Sequence, residues 1–415
     1  MTTQLQAPPD HASGRAPAAG WSRWAREHLF NTWYNLVLTL VFGGAALAAL
    51  VGLARMVAGF DLTIVQRNLT LFMVGRFPRD QLWRPWLAGL LLAVAVGLVA
   101  GALKSAARER AAHAGLPFKS SSWRGLLRRF WPVIVLVVMI LALTQTVTPS
   151  LLMLAVALGG VAVYGGGRRL PTAARRWSWM AVALLFIGSY LALAAFGGEA
   201  WEGWGGLHLN VFLTLAGILF AFPIGLLLAL GRRSSLPALR MISVTYIELV
   251  RGVPLISLLL FGAFAIGFLL PETLRPSLVT RMLIAITAFE AAYVAEVVRG
   301  GLQAVPRGQT EASQALGMSP AKTMRLIVLP QALRATIPSM VGQFISLYKD
   351  TTLVAILGLT ELLEASFIVN SQPAFLGKGL FLVTLAFAGL VFWVGSYTMS
   401  REARRLEKRL GVGER

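Results

Sequence analysis

The sequence predicts an all-α, polytopic membrane protein with eight to ten transmembrane helices. Three observations predict it. The 415 residues are 56% hydrophobic and only 13% charged, whereas an average soluble domain carries about 25% charged residues. Ten apolar runs approach the length needed to cross a bilayer, which is about 20 residues. Basic residues outnumber acidic ones 38 to 18 and gather in alternate inter-span segments, as they do on the cytoplasmic side of membrane proteins.

Residues 1–35 are polar and contain Pro, Ala and Gly. They lack the apolar run and cleavage site of a signal peptide and read as a cytoplasmic, mostly disordered tail. Within it, Trp21-Ser22-Arg23-Trp24-Ala25-Arg26 suits the membrane surface. The predicted spans are 36–57, 86–103, 131–147, 149–165, 178–197, 208–230, 242–270, 281–303, 334–358 and 379–400. The third and fourth are short and are divided only by Thr148-Pro149, so either both cross as a tight hairpin or one does not.

Charge sets the orientation. With a cytoplasmic N-terminus and ten crossings, 27 of the 38 Lys and Arg fall in cytoplasmic segments and 7 in outer ones. That split places both termini in the cytoplasm. It also accounts for the net charge of +20 without nucleic acid, since no aromatic-interleaved basic motif accompanies it. There is no cysteine, which excludes disulfides and thiolate chemistry.

Composition shifts around Gly197–Leu207. Upstream spans carry no charge at mid-depth; downstream spans hold Glu248, Arg251, Glu290, Glu296, Arg299, Lys349 and Asp350. Ionisable groups in lipid are costly and are paired or functional. The chain therefore divides into an N-terminal transmembrane extension over 36–206, a module over 207–402 and a basic cytoplasmic tail over 403–415. No internal repeat relates the halves.

The segment after the eighth span, 305–332, is polar, capped and too short to cross. Gln309 to Leu316 suits a helix, with Gly317 just past its end. Ala312, Ala315 and Leu316 share one face. Ser319 suits an N-cap with Pro320 at the first helical position, and Leu329-Pro330 should end or kink this second helix.

Glu311-Ala312-Ser313, Gly317 and Ile327-Val328-Leu329-Pro330 resemble the EAA loop of ABC importer permeases. Ser313 stands where that family usually has Ala. The stretches Tyr246–Leu255, Ala291–Gln303 and Leu347–Leu353 resemble the second, third and fourth core helices of polar amino-acid (histidine/glutamine-type) permeases. The long extension resembles the M-type permease of general L-amino-acid importers. The resemblance implies a type I permease core of five helices and import of polar L-amino acids by alternating access at a bacterial inner membrane. Glu311, Ala312, Ser313, Gly317, Leu329 and Pro330 then form a coupling loop that docks on a separate ATPase dimer. A second homologous permease subunit and a periplasmic solute-binding protein complete the implied assembly.

Glu248/Arg251 and Glu296/Arg299 are i,i+3 pairs, which lie close on a helix. They read as packing ion pairs or as a gate, with Gly252, Gly300 and Gly301 allowing close backbones. Glu290, Lys349 and Asp350 lie roughly 13–25 Å from the cytoplasmic boundary at 1.5 Å per residue. They are the candidates for contact with an amino acid's ammonium and carboxylate, or else a structural network. No phosphate loop, zinc motif or nucleophile elbow occurs. The chain is thus expected to bind no metal or cofactor, to leave ATP and Mg to the partner ATPase, and to perform no chemistry. A self-contained secondary transporter or channel is the alternative, which the EAA-like loop disfavours.

Overall fold

The computed structural model describes residues 21–115, 117, 123–144, 147–194 and 203–410. Residues 1–20 of the expected tail, the part of the Gly197–Leu207 composition shift that precedes residue 203, and the last residues, 411–415, lie outside them. The described chain is helical apart from short connections and two isolated β-bridges. It forms two compact units, 1–61 and 62–415.

The first unit contributes α1 (Trp21–His28) and α2 (Trp33–Ala58). Part of the expected tail is therefore helical. The His28 ring stacks on Trp24 and bonds its carbonyl at 3.0 Å, a local i,i+4 contact that a polar composition does not reveal.

The second unit begins with α3 (Thr63–Arg67), α4 (Leu69–Val74), α5 (Trp83–His113), α6 (Trp123–Leu143), α7 (Val147–Gly167), α8 (Thr172–Arg175) and α9 (Ser178–Ala194). The helix predicted over 131–147 starts eight residues earlier and is broken at Phe130 (φ −109°, ψ 20°), two residues ahead of Pro132, whose ring clashes with the preceding turn. Small residues set the α5–α7 crossing. A Cβ on Gly97 would lie 2.3 Å from the Gly160 carbonyl oxygen, so only glycine lets these backbones meet. Arg84, buried at the start of α5, donates to the Ala192 carbonyl at 3.0 Å and to the Leu193 carbonyl. A cation there complements the carbonyls at the end of α9.

The remaining helices are α10 (Gly206–Arg232), α11 (Pro237–Gly252), α12 (Leu255–Leu269), α13 (Leu278–Ala304), α14 (Arg307–Ala315), α15 (Pro320–Thr323), α16 (Leu329–Asp350), α17 (Leu362–Asn370) and α18 (Phe381–Leu410). The single span expected over 242–270 is two helices, α11 and α12, bent by 106°. Val253 is extended (φ −105°, ψ 135°) because the residue before a proline, here Pro254, avoids the helical region. Among the described residues, five helices are long and apolar enough to cross a membrane, or six if this bent pair counts as one span. Leu151–Gly167 and Ser178–Leu193 are shorter apolar helices.

Among the described residues, two apolar clusters organise much of the unit. One joins Ala88, Leu92 and Ala95 of α5 and Val182 and Phe186 of α9 to α10, α12 and α13. Packing is therefore continuous across residue 205. The other joins Ala229, Ile247, Val294, Val298 and Leu302 to Val328 and Ala332, at the end of α13 that leads into α14.

Candidate functional site

The segment 305–332 is an ordered projection. Pro306 is extended and α14 follows it; Gly317 has φ +76°, a value that favours glycine. Its N–H bonds the Gln314 carbonyl at 2.9 Å and the Met318 N–H bonds the Ser313 carbonyl at 3.1 Å. These paired bonds close the helix end. Ser319 accepts from the Lys322 N–H, and α15 begins at Pro320.

Leu329-Pro330 does not end the second helix. Residues Met324–Val328 widen into a π turn, where the Leu329 N–H reaches the Met324 carbonyl five residues back. The widened turn lets the helix continue into α16 with Pro330 in its first turn. Gln331 Nε2 donates to the Ile327 carbonyl at 2.9 Å and to Gln309 Oε1 at 3.3 Å, tying α14 to α16.

The faces of α14 are unequal. Glu311, Ala312 and Ala315 are exposed, and Leu316 is 82% exposed. Ser313, counted with the coupling loop, is buried. Its Oγ donates to the Thr310 carbonyl at 2.8 Å and shares a 2.9 Å hydrogen bond with Thr323 Oγ1. Helical phase turns Ser313 inward while its neighbours face out.

At the same end, charged side chains from three helices converge. Glu296 bonds Arg299 within α13. Arg251 of α11 stands 3.6 Å from Glu296 and over the Tyr293 ring at 5.5 Å. Glu248 turns to Arg232 of α10 at 2.8 Å instead of to Arg251, and Arg232 also lies 3.7 Å from Glu296. The expected pair within α11 is thus replaced by an interhelical network through Arg232, which sequence reasoning missed. Such partly exposed pairs contribute about 0.2–1 kcal/mol each. Of the three glycines expected to permit close approach, Gly301 does so: a Cβ there would lie 2.6 Å from the Ala332 carbonyl oxygen. Gly252 and Gly300 face open space.

Glu290 is 1% exposed in α13 and takes a 3.4 Å hydrogen bond from Gln343 of α16. Asp350 is half-buried and Lys349 is exposed. The structure pairs Glu290 with Gln343, not with Lys349. Gln343, a polar residue within a mainly apolar stretch, was the signal passed over.

A further polar cluster lies among the ends of other elements. Asn210 of α10 is fully buried. It donates to Thr351 Oγ1 at 2.9 Å and to Glu361 Oε2 at 3.1 Å, and accepts from the Leu362 N–H at 3.0 Å. Glu361 caps α17 by accepting from the Leu363 and Glu364 N–H groups. Burial pushes its carboxyl above the ordinary 4.5, against the opposing pull of these N–H groups and of Asn210.

Residues 221–412 match the family described as binding-protein-dependent transport system inner membrane component. The inner membrane amino-acid ABC transporter permease protein YhdY of Escherichia coli K12 is 33% identical over 98% of this chain and 96% of its own length. The chain belongs to this permease family. The glutamate/glutamine/aspartate/asparagine transport system permease protein BztC of Rhodobacter capsulatus is 35% identical, covering 94% of each chain. The probable glutamine ABC transporter permease protein GlnP of Bacillus subtilis is 34% identical over 50% of this chain and 92% of its own. Nearly the whole of that shorter permease thus corresponds to half of this one, and the membrane extension is shared with the longer relatives. The permease is a multi-pass membrane protein whose helices place the exposed loop at one end of the bundle.

Proposed function

We propose that this chain is the permease subunit of an ABC importer that carries polar L-amino acids into the cytoplasm by alternating access. Import is powered by ATP and Mg on a separate ATPase dimer. A second homologous permease and a periplasmic solute-binding protein complete the assembly in the bacterial inner membrane, with both termini cytoplasmic. The observation that carries the reading is the exposed face of α14, with Glu311, Ala312, Ala315 and Leu316 projecting from a loop whose first helix is closed at Gly317 and whose second is capped by Ser319. A large apolar residue held outward on a rigid element suits capture in a partner's groove. Closure of the ATPase pair would act through this loop on α13 and α16, which it joins.

Reconstitution with the cognate ATPase and binding protein tests the proposal. Uptake of polar amino acids should require ATP; uptake that persists without it overturns the reading. Glu290, Lys349 and Asp350 are proposed to line the substrate pathway. Glu290→Gln should lower uptake about ten-fold, the loss expected for one charged hydrogen bond, while the ATPase remains bound in pull-downs. Unchanged uptake kinetics would remove Glu290 from the pathway.

A further inference from the structure

The end of the bundle that carries the loop also holds a cavity of about 410 Å³ lined by Arg232, Arg233, Arg299 and Gln303. No carboxylate belongs to that lining. Glu248 and Glu296 lie beside it, bonded to Arg232 and Arg299 and near Arg251. Four arginines therefore meet two glutamates, a formal surplus of +2. Arg233 makes a long 3.4 Å contact to the Leu302 carbonyl. Guanidinium groups recognise phosphate oxygens through paired donors, and the Gln303 amide supplies further N–H groups. Leu236, Leu239, Met241 and Ile242, which follow Arg233 in the chain, are exposed apolar side chains. Arginines beside an apolar surface match the two parts of a phospholipid, and basic pockets between membrane helices bind anionic head groups.

We propose that Arg232, Arg233, Arg299 and Gln303 form a binding site for a phosphate group, supplied by an anionic phospholipid or by free phosphate. The occupant joins the ends of α10 and α13. It sits at the root of the loop, because Gln303 precedes Pro306 by three positions. Placing the site in the cytoplasmic leaflet rests on the orientation proposed above; the binding itself does not.

The full-length protein, purified in neutral detergent, is titrated with dioleoylphosphatidylglycerol, dioleoylphosphatidylcholine and inorganic phosphate, and bound ligand is read by native mass spectrometry and calorimetry. Phosphatidylglycerol should bind about ten-fold more tightly than phosphatidylcholine. Gln303→Glu, at an exposed position, should abolish that preference by placing a carboxylate in the lining. Arg233→Gln should reduce that preference to about three-fold, and Arg240→Gln, whose guanidinium bonds the Ser234 carbonyl, should leave it unchanged. Phosphate binding that both lining variants remove supports the site with a free anion as its source. Equal retention of the two lipids without phosphate binding overturns the proposal, as does retention unchanged in both lining variants. The measurement needs neither ATPase nor transport, so its failure leaves the importer reading intact, and ATP-independent uptake would leave this site intact.

Discussion

Ser313 and Leu316 lie three residues apart and face opposite ways. The Ser313 hydroxyl is buried against Thr323, whereas Leu316 is 82% exposed. Their substitutions should therefore separate. Leu316→Ala should leave the melting temperature of the isolated permease unchanged and weaken ATPase association about ten-fold in a pull-down titration, as for an anchor residue at an interface. Ser313→Ala should cost about 1 kcal/mol, by losing one buried hydrogen bond, and should weaken association far less. Equal effects of the two would refute this division of roles. Glu361 offers a test by pH. Its carboxyl is held above 4.5 by burial, so the native state favours the protonated form. The stability it contributes is present below 4.5 and is lost as pH rises through the folded value. Glu361→Gln should remove that slope, so the variant's melting temperature should gain on the parent's as pH is raised from 4. Parallel melting curves would contradict the assignment.

At the scale of elements, local chemistry explains most boundaries. Pro254 splits the 242–270 run through an extended Val253. Gly317 ends α14 because its φ of +76° closes the paired hydrogen bonds. Gly317→Ala should cost about 1 kcal/mol, the penalty for a side chain in that left-handed region. Protease cleavage of the 305–332 loop should then accelerate while the membrane helices stay protected; an unchanged cleavage rate would argue against it. The end at Gly317 was legible because a cap acts within a few residues; the break before Pro254 was not, since the apolar run 242–270 reads as one continuous span. The π turn at Met324–Val328 was not legible. Leu329-Pro330 read as a stop, yet the widened turn carries the helix past the missing N–H.

Across the whole of unit 62–415, crossings between distant segments decide the arrangement. The α13–α16 contact depends on Gly301, where a Cβ would lie 2.6 Å from the Ala332 carbonyl oxygen and 2.3 Å from Thr336 Cγ2. Gly301→Val must push the helices apart and should lower stability by about 1–3 kcal/mol, as overpacking does, read as an earlier thermal transition in detergent. An unchanged transition would mean that this crossing does not limit stability. The extension adds its own ties: α5 and α9 share a core with α10, α12 and α13, and Arg129 of α6 bonds Glu402 of α18.

Sequence alone determined the solvent, the helical class, the loop with its caps and the family that the loop resembles. Each is written in hydropathy or in residues a few positions apart, where backbone geometry leaves little choice. Tertiary structure decided that Ser313 faces inward, that Glu248 pairs with Arg232, that Glu290 meets Gln343, and that Asn210 joins Thr351 to Glu361. The interhelical partners are separated by as many as 151 residues. No local pattern encodes such a pairing, because it exists only once helix packing has set the register between surfaces.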